Sequence, residues 1–137
     1  MTLKLQLVKD KEVIFEVPIS PSQWTKTKLE EELTTNDEEI RRLTKIFEAF
    51  AHETRLKMMN LLLMDEDCTV SFADFMRDLD LNPKLVWENA RKLSEEGLLK
   101  KVGRGRYCIS DFGQKVFIMM NLALKHLIET LDEIDEF

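Results

Sequence analysis

Basic residues concentrate in one stretch of the sequence, between Lys84 and Arg106, where they are suited to bind anionic oxygen atoms. This stretch holds seven lysines and arginines against three glutamates, a local excess of four positive charges, whereas the whole chain of 137 residues carries a net charge of −6. Arg and Lys are the usual partners of phosphate groups. The contrast predicts one local surface that meets a polyanion, with acidic flanks that repel it and restrict how it docks.

Other reactive residue types form no recognisable site. Cys68 and Cys108 stand far apart without a CxxC motif, so neither a disulfide framework nor a metal site is predicted, and both are expected to be buried or half-buried thiols. His52 and His126 are isolated, and there is no glycine-rich phosphate loop. We expect no enzyme activity, no metal and no cofactor, with His52 at a helix start and His126 on a surface or dimer face.

The bulk composition limits the class of protein. A hydrophobic content of 44% in 137 residues is enough for one core and argues for one domain. The longest apolar stretch, VFIMMNLAL, is interrupted by Asn121 and is much shorter than the roughly 20 residues of a bilayer span. We expect a soluble, cytoplasmic protein without a membrane partner.

Residues 1–35 predict an N-terminal β-hairpin and a linker. Apolar residues alternate with polar ones on both sides of the turn at Lys9, Asp10 and Lys11, which predicts two strands with one buried face. These apolar residues are Leu3, Leu5, Leu7, Val13, Phe15 and Val17. Because two strands alone are marginally stable, the hairpin is expected to pack on something else. The charged segment that follows predicts one short helix, with Trp24 anchored.

Residues 36–110 begin with two helix signals. Thr35 and Glu38 have the spacing of a capping box, which predicts a helix from about residue 36 to residue 51. Its apolar residues fall on one face, namely Ile40, Leu43, Phe47 and Phe50. The segment HETRLKMMNLLLM predicts a second helix that ends at the acidic turn 65–67. Its expected buried stripe is Leu56, Met59, Leu62 and Leu63.

The same region continues with the signals of a winged helix-turn-helix. Ser71 is a candidate cap for a third, short helix, whose apolar side is formed by Phe72, Phe75, Met76 and Leu79. Asn82 and Pro83 then suit the cap and first turn of a fourth helix, which is expected to end near Gly97. Residues 98–102 and 106–109 predict a β-hairpin around Gly103, Arg104 and Gly105. The expected fold class is mostly α with a small β part.

Residues 111–137 predict a long C-terminal helix and an acidic tail. Ser110 suits the cap of a helix that runs to about Leu131. Apolar residues recur at intervals of three and four, namely Val116, Met119, Met120, Ala123, Leu124, Leu127, Ile128 and Leu131. With Phe117, Ile118 and Leu122 the first half is apolar almost all round. One small domain offers too little surface to cover this helix, so we expect a homodimer built on it.

The fourth helix divides into an inner and an outer face. Turning about 100° per residue, Val86, Ala90 and Leu93 face the core, while Lys84, Glu88, Arg91 and Glu95 lie opposite and Trp87 lies at the margin. For Trp87, packing on the core and contact with a partner both stay open. Pairs at i,i+4, such as Lys84 with Glu88, Glu88 with Lys92 and Arg91 with Glu95, are also typical of a plain solvent-exposed face.

The stretch from about Ile46 to Gly113 resembles the ArsR-type winged-helix regulators, and more loosely the MarR-like ones. FEAFAHETRLKMMNLL is similar to the opening helix pair with its Thr-Arg-Leu signature, and RYCISDFG is similar to the exit from the wing. The resemblance implies a dimeric, sequence-specific transcriptional regulator. Metal-sensing members carry Cys-x-Cys at the start of the third helix, whereas CTVS offers only Cys68, so metal sensing is not expected.

The sequence thus predicts double-stranded DNA as partner, with the recognition helix, residues 82–96, in the major groove and the wing, residues 98–109, on the backbone or minor groove. The expected DNA-binding residues are Asn82, Lys84, Trp87, Glu88, Arg91, Lys92, Arg104 and Arg106. The alternative is a winged-helix protein interaction module without DNA affinity. A pocket between protomers for an unidentified small-molecule effector is a further option.

Overall fold

The computed structural model describes residues 3–34 and 36–135, which form two compact units that divide after Arg41. The first unit contains β1 (Lys4–Lys9), β2 (Glu12–Pro18), a 3-10 turn (Pro21–Gln23) and α1 (Lys26–Leu33). Helix α2 (Asp37–Phe50) spans the division. The second unit continues with α3 (Glu53–Met64), β3 (Thr69–Ser71), α4 (Phe72–Leu79), α5 (Pro83–Glu95), β4 (Leu99–Lys101), β5 (Arg106–Ile109), α6 (Asp111–Phe117) and α7 (Leu124–Asp135). A π-helical segment, Ile118–Ala123, joins the last two helices.

The predicted N-terminal hairpin is confirmed, but its buried face is not. Strands β1 and β2 pair antiparallel through a tight turn in which Asp10 and Lys11 take positive φ angles of 49° and 71°. Such a turn matches the right-handed twist of the strands. The apolar side chains Leu5, Leu7, Phe15 and Val17 are all exposed. They stay exposed because α1, the helix of the same unit, buries none of its residues.

The short linker helix and the anchored tryptophan are confirmed. The indole Nε1 of Trp24 donates a hydrogen bond to the carbonyl oxygen of Pro18 at 2.9 Å. The Thr25 hydroxyl accepts from the Lys28 amide at 3.2 Å and caps α1. Charged side chains make up most of α1, so the helix depends on this cap more than on burial.

Helix α2 begins one residue later than predicted, and its cap is Asn36. The Asn36 side-chain oxygen accepts from the Glu39 amide at 2.8 Å. Thr35, the predicted cap, lies outside the described residues. Phe50 is buried, whereas Leu43 and Phe47 on the same helix are exposed.

The core lies between α3, α4 and α5 and a three-stranded antiparallel sheet of order β3-β5-β4. Its fully buried side chains are Met58, Met59, Leu62, Phe75, Val86, Leu93 and Leu98. Met59 and Leu62 were predicted, whereas Leu56 and Leu63 are only half-buried and pack at the edge of this core. Strand β3 was not predicted; its Val70 pairs with Tyr107 of β5. Both cysteines are free and half-buried, as expected.

The caps predicted for the helix-turn-helix are confirmed. The Ser71 hydroxyl accepts from the Asp74 amide at 3.0 Å, and the Asn82 side chain accepts from the Leu85 amide at 2.9 Å. Gly97 has φ of 75° and lets the Leu98 amide reach back to the Leu93 carbonyl at 3.1 Å. In the turn between α4 and α5 the left-handed position falls on Asp80, with φ of 52°.

The C-terminal helix is confirmed and is longer than predicted, because α7 continues to Asp135. The Ser110 hydroxyl accepts from the Gly113 amide at 2.8 Å and donates to the Gly97 carbonyl at 2.5 Å, so it joins the end of α5 to the start of α6. The π-helical segment was not predicted. There the Asn121 side chain donates to the Phe117 carbonyl at 3.3 Å, a contact that depends on local backbone geometry rather than on sequence periodicity.

Gly113 allows α6 to approach the backbone of Leu98 closely, and the variant Gly113→Ala tests this close contact. An added Cβ would lie 2.1 Å from the Leu98 carbonyl oxygen, so the backbone of α6 or of Leu98 would have to move. We expect a loss of about 1–3 kcal/mol in the free energy of unfolding, measured in urea. Lys115→Ala, at an exposed site on the same helix, is the control and should change stability much less. Equal stability of Gly113→Ala and the parent protein would contradict the packing described.

Candidate nucleic-acid interface

The outer face of α5 carries most of the predicted contact residues. Val86, Ala90 and Leu93 are buried as predicted, which turns Lys84, Arg91 and Trp87 toward solvent. Trp87 is 55% exposed, so the interpretation that its indole packs on the core is wrong for the single chain.

Arg91 contacts two neighbouring side chains on this face. Its guanidinium lies 5.2 Å from the centre of the Trp87 ring, and its Nη1 lies 3.0 Å from a carboxylate oxygen of Glu95. A planar guanidinium that stacks on an indole and pairs with a carboxylate loses little further conformational entropy when it binds a ligand. Lys84 and Glu88 lie 3.9 Å apart, a looser pair.

Of the predicted contact residues, Asn82 has the capping role also predicted for it, and Lys92 has other surroundings than expected. The Asn82 side-chain oxygen accepts from the Leu85 amide and caps α5, so Asn82 positions the helix. Lys92 lines a groove together with Lys45 and Glu48 of α2, away from Lys84 and Arg91. The predicted ion pair between Glu88 and Lys92 is not formed, although both residues belong to the described part of the chain.

The wing presents Arg104 and Arg106 from a tight turn. Gly103 and Gly105 both have φ of 67°, the left-handed region that a side chain disfavours. Arg104 and Arg106 are exposed, while Tyr107 and Ile109 of β5 are buried and anchor the strand. Within residues 36–135 neither arginine of the wing forms an ion pair with a carboxylate.

The wing is tied to the helix-turn-helix through its backbone. The Phe72 amide at the start of α4 donates to the Gly105 carbonyl at 2.8 Å. Strand β5 lies in the middle of the sheet, between β3 and β4. The recognition helix α5 and the wing, which are the two cationic elements of the predicted interface, are therefore held by one core.

Arg55 positions α5, and the sequence analysis missed this role. Its Nε donates to the Ala49 carbonyl at 2.6 Å and its Nη2 to the Glu48 carbonyl at 2.9 Å, so it satisfies the carboxyl end of α2. Its Nη1 donates to the side-chain oxygen of Asn89 at 3.0 Å. Burial lowers the pKa of the Arg55 guanidinium below its ordinary value, although an arginine stays protonated in this setting.

Asn89 completes this bridge from within α5. It is 5% exposed, and its side-chain nitrogen donates to the Leu85 carbonyl at 2.7 Å. The sequence could have indicated this role, because Asn89 is a polar residue on the inner face of the helix, next to Val86 and Leu93. A buried amide must find hydrogen-bond partners.

The predicted dimer residues of the C-terminal helix divide into two groups. Val116 and Met120 are half-buried and pack on the core of their own chain. Exposed apolar side chains are Met119, Leu124 and Ile128, together with Ile118 and Leu122. Ala123 is also exposed, while Leu127 and Leu131 are half-buried. Phe117 is buried against Phe50 of α2, with ring centres 5.9 Å apart.

The histidines have the predicted locations. His52 caps α3, since its Nδ1 accepts from the Thr54 amide at 3.3 Å. His126 is exposed, with its Nδ1 3.7 Å from Glu129. Within residues 3–34 and 36–135 there is no group of side chains arranged to hold a metal ion, and no helix there has the length and apolar character to span a bilayer.

Solved structures share this fold. The homodimeric winged helix-turn-helix DNA-binding domain of a possible ArsR-family transcriptional regulator from Mycobacterium bovis has a TM-score of 0.56 at 16% identity, over 67% of this chain and 89% of that one. A MarR family transcriptional regulator from Streptomyces coelicolor has a TM-score of 0.51 at 16% identity, over 71% and 68%. A transcriptional regulator homologue from Pyrococcus horikoshii OT3 has a TM-score of 0.50 at 27% identity, over 65% and 98%.

These similarities confirm the winged-helix fold and the predicted resemblance to ArsR-type and MarR-like structures at the level of the fold. Neither a protein-family model nor a curated protein matches the sequence.

Arg55→Lys tests whether the guanidinium bridge positions α5. An ammonium group cannot reproduce three donors in a planar fork, so we expect a loss of about 2 kcal/mol in the free energy of unfolding. Arg77→Lys is the matched control, because Arg77 is exposed and pairs only with Asp74 and Asp78. Equal small losses in both variants would show that the bridge is unimportant.

Proposed function

We propose that the chain is a double-stranded DNA-binding transcriptional regulator that acts as a homodimer. In this proposal the recognition helix, residues 82–96, enters the major groove, and the wing, residues 98–109, contacts the backbone or the minor groove. The observation that carries the proposal is the common support of both cationic elements: the Phe72 to Gly105 hydrogen bond and the central position of β5 fix the wing to the same core as α5.

Solved structures that share the fold also support this function. The Mycobacterium bovis domain is described as a homodimeric DNA-binding domain, and the Streptomyces coelicolor and Pyrococcus horikoshii proteins as a transcriptional regulator and a regulator homologue. We extend that role to this chain because the cations lie on the recognition helix and the wing.

Side chains on the outer face of α5 can reach base edges. The major groove is about 12 Å wide and admits one helix. Lys84, Trp87 and Arg91 point away from the core, and Arg91 is already held by its neighbours. An arginine donates two hydrogen bonds to the O6 and N7 atoms of guanine, so Arg91 is our leading candidate for base recognition.

Arg104 and Arg106 supply contacts of a different kind. They extend from a tight turn at Gly103 and Gly105, and no carboxylate within residues 36–135 forms an ion pair with them. Phosphate contacts set register and affinity but carry no sequence information directly.

The homodimer is supported by uncovered apolar surface on the second unit. Met119, Leu122 and Ile128 are exposed on the C-terminal helix, and Phe47 is exposed on α2. A monomer in water rarely leaves this many large apolar side chains on neighbouring turns of one helix. Twofold pairing would then place two recognition helices on half-sites about 34 Å apart.

A protein interaction module is the second candidate, and one observation favours it. The Lys84 to Glu88 and Arg91 to Glu95 pairs partly neutralise the outer face of α5. A face of mixed charge suits a protein partner as well as a nucleic acid. Stoichiometric binding of a protein without affinity for any duplex would select this candidate.

The double variant Arg104→Ala with Arg106→Ala tests the wing contacts. Genomic duplexes selected by the purified protein are titrated by fluorescence polarisation at several salt concentrations. Each lost phosphate contact should lower the slope of log K against log salt by about 0.9, and a homodimer loses two contacts in each protomer, so we expect weaker binding and a slope reduced by about 3.6.

The control removes the same charge from the other unit, as Lys26→Ala with Lys28→Ala, and should keep the parent slope. These lysines are exposed on α1. Unchanged affinity and slope in the wing variant would contradict a role of the wing in binding DNA.

Met119→Glu tests the dimer. Met119 is exposed on the C-terminal helix, and a buried, unpaired carboxylate in an interface is costly, so the dimer should dissociate with a dissociation constant raised about tenfold or more. Light scattering coupled to size exclusion gives the mass. Asn60→Glu adds the same charge at an exposed site on α3 and should stay dimeric. A monomeric parent protein, or a dimeric Met119→Glu variant, would count against this interface.

A further inference from the structure

We propose that a groove beside the carboxyl end of α5 binds a small zwitterionic molecule of the amino-acid type, one that carries an ammonium group, a carboxylate and an apolar side chain. Two adjoining cavities of about 360 and 410 Å³ lie between α2 and the end of α5. Glu95 and Glu96 line both cavities, so they are two lobes of one groove. Each lobe is within the size range of small-molecule sites.

The first lobe contains charges of both signs that do not pair with each other. Lys45 and Lys92 supply two ammonium groups, and Glu48 and Glu96 supply two carboxylates. No ion pair joins any of these four to another residue in the described part of the second unit. A purely anionic ligand would meet the carboxylates, and a purely cationic one the lysines. A molecule with both charges satisfies both sets.

Arg55 borders the same lobe, but the protein already engages three of its five N–H donors. Its three donor nitrogens already bind the Glu48 and Ala49 carbonyls and the side chain of Asn89. Lys45 and Lys92 are more exposed than Arg55, so we assign the ligand carboxylate to these lysines, which are point charges on flexible stems.

The second lobe adds an apolar wall. Half-buried Ile46 and the exposed ring of Phe112 in α6 both line it. The Arg42 guanidinium lies over the Phe112 ring, 5.5 Å from its centre. This wall suits an apolar or aromatic side chain next to the charged groups of the same ligand.

Glu95 links the groove to the outer face of α5. Its carboxylate lines both lobes and also holds Arg91, which stacks on Trp87. A ligand ammonium at Glu95 competes with Arg91 for the carboxylate and changes how the recognition face is ordered. This second step, an effect on DNA affinity, rests on the proposed function, whereas binding in the groove does not.

Calorimetry on the full chain tests the site with defined probes. The zwitterions L-phenylalanine, L-leucine and L-methionine are titrated, with phenethylamine, 3-phenylpropionate and N-acetyl-L-phenylalanine amide as analogues that lack one or both charges. We expect at least one zwitterion to bind, and the analogues of phenylalanine to bind about tenfold more weakly or worse, since each loses a charge-assisted hydrogen bond.

Variants locate the binding in the groove. Lys45→Met and Glu96→Gln should each weaken binding about tenfold, by the same loss of a charge-assisted contact. Lys57→Met removes an exposed lysine on α3, outside the groove, and should bind like the parent protein. Absence of binding for all three zwitterions at millimolar concentration, or equal binding by all variants, overturns the site.

Fluorescence polarisation with a bound duplex tests the coupling. The zwitterion that binds should shift the affinity for the duplex several-fold, and Lys45→Met should need about tenfold more ligand for the same shift. Ligand binding without any shift overturns the coupling through Glu95. If the chain binds no duplex at all, the proposed function is wrong. The calorimetric test of ligand binding in the groove does not depend on that result.

Discussion

One hydrogen-bonded bridge determines where α5 lies. Arg55 satisfies the carbonyl groups of Glu48 and Ala49 at the end of α2 and holds the buried side chain of Asn89 in α5. Apolar contacts of Val86 supply stabilisation, but they are not directional. A buried amide without a partner is costly, so the bridge favours the arrangement of α2, α3 and α5 in which all of these groups are hydrogen-bonded. The bridge therefore specifies the geometry of the helix-turn-helix more than it adds to its stability.

The positions of α5 and the wing are fixed by contacts within the second unit. The Gly105 carbonyl ties the wing to α4, and Ser110 ties the end of α5 to α6, so helix, wing and C-terminal helix share one frame. On that frame a local excess of positive charge stands within a chain of net charge −6. Such a field orients a polyanion, because the acidic remainder repels it. Arg55 also lines the proposed groove at the end of α5, where Glu95 is the residue that we propose couples a ligand to Arg91.

Features with a local cause could be predicted from the sequence. The caps at Ser71 and Asn82 and the left-handed Gly97 follow from side chains within three residues. Features that depend on tertiary contacts could not. The alternation in the N-terminal hairpin predicts an apolar face but not what covers it, and strand β3 is too short to show a period. The groove joins Lys45 and Lys92, which are far apart in sequence and meet only in the folded chain.

The central claim is that the outer face of α5 and the wing together contact a duplex. The most direct measurement is a titration of ¹⁵N-labelled protein with a genomic duplex selected by the protein, followed by NMR chemical shifts. The account predicts the largest shifts at the amides of Lys84, Arg91, Gly103 and Gly105, with little change along α1. Tight binding that leaves the amides of α5 and the wing unperturbed, or that shifts α1 alone, would contradict it.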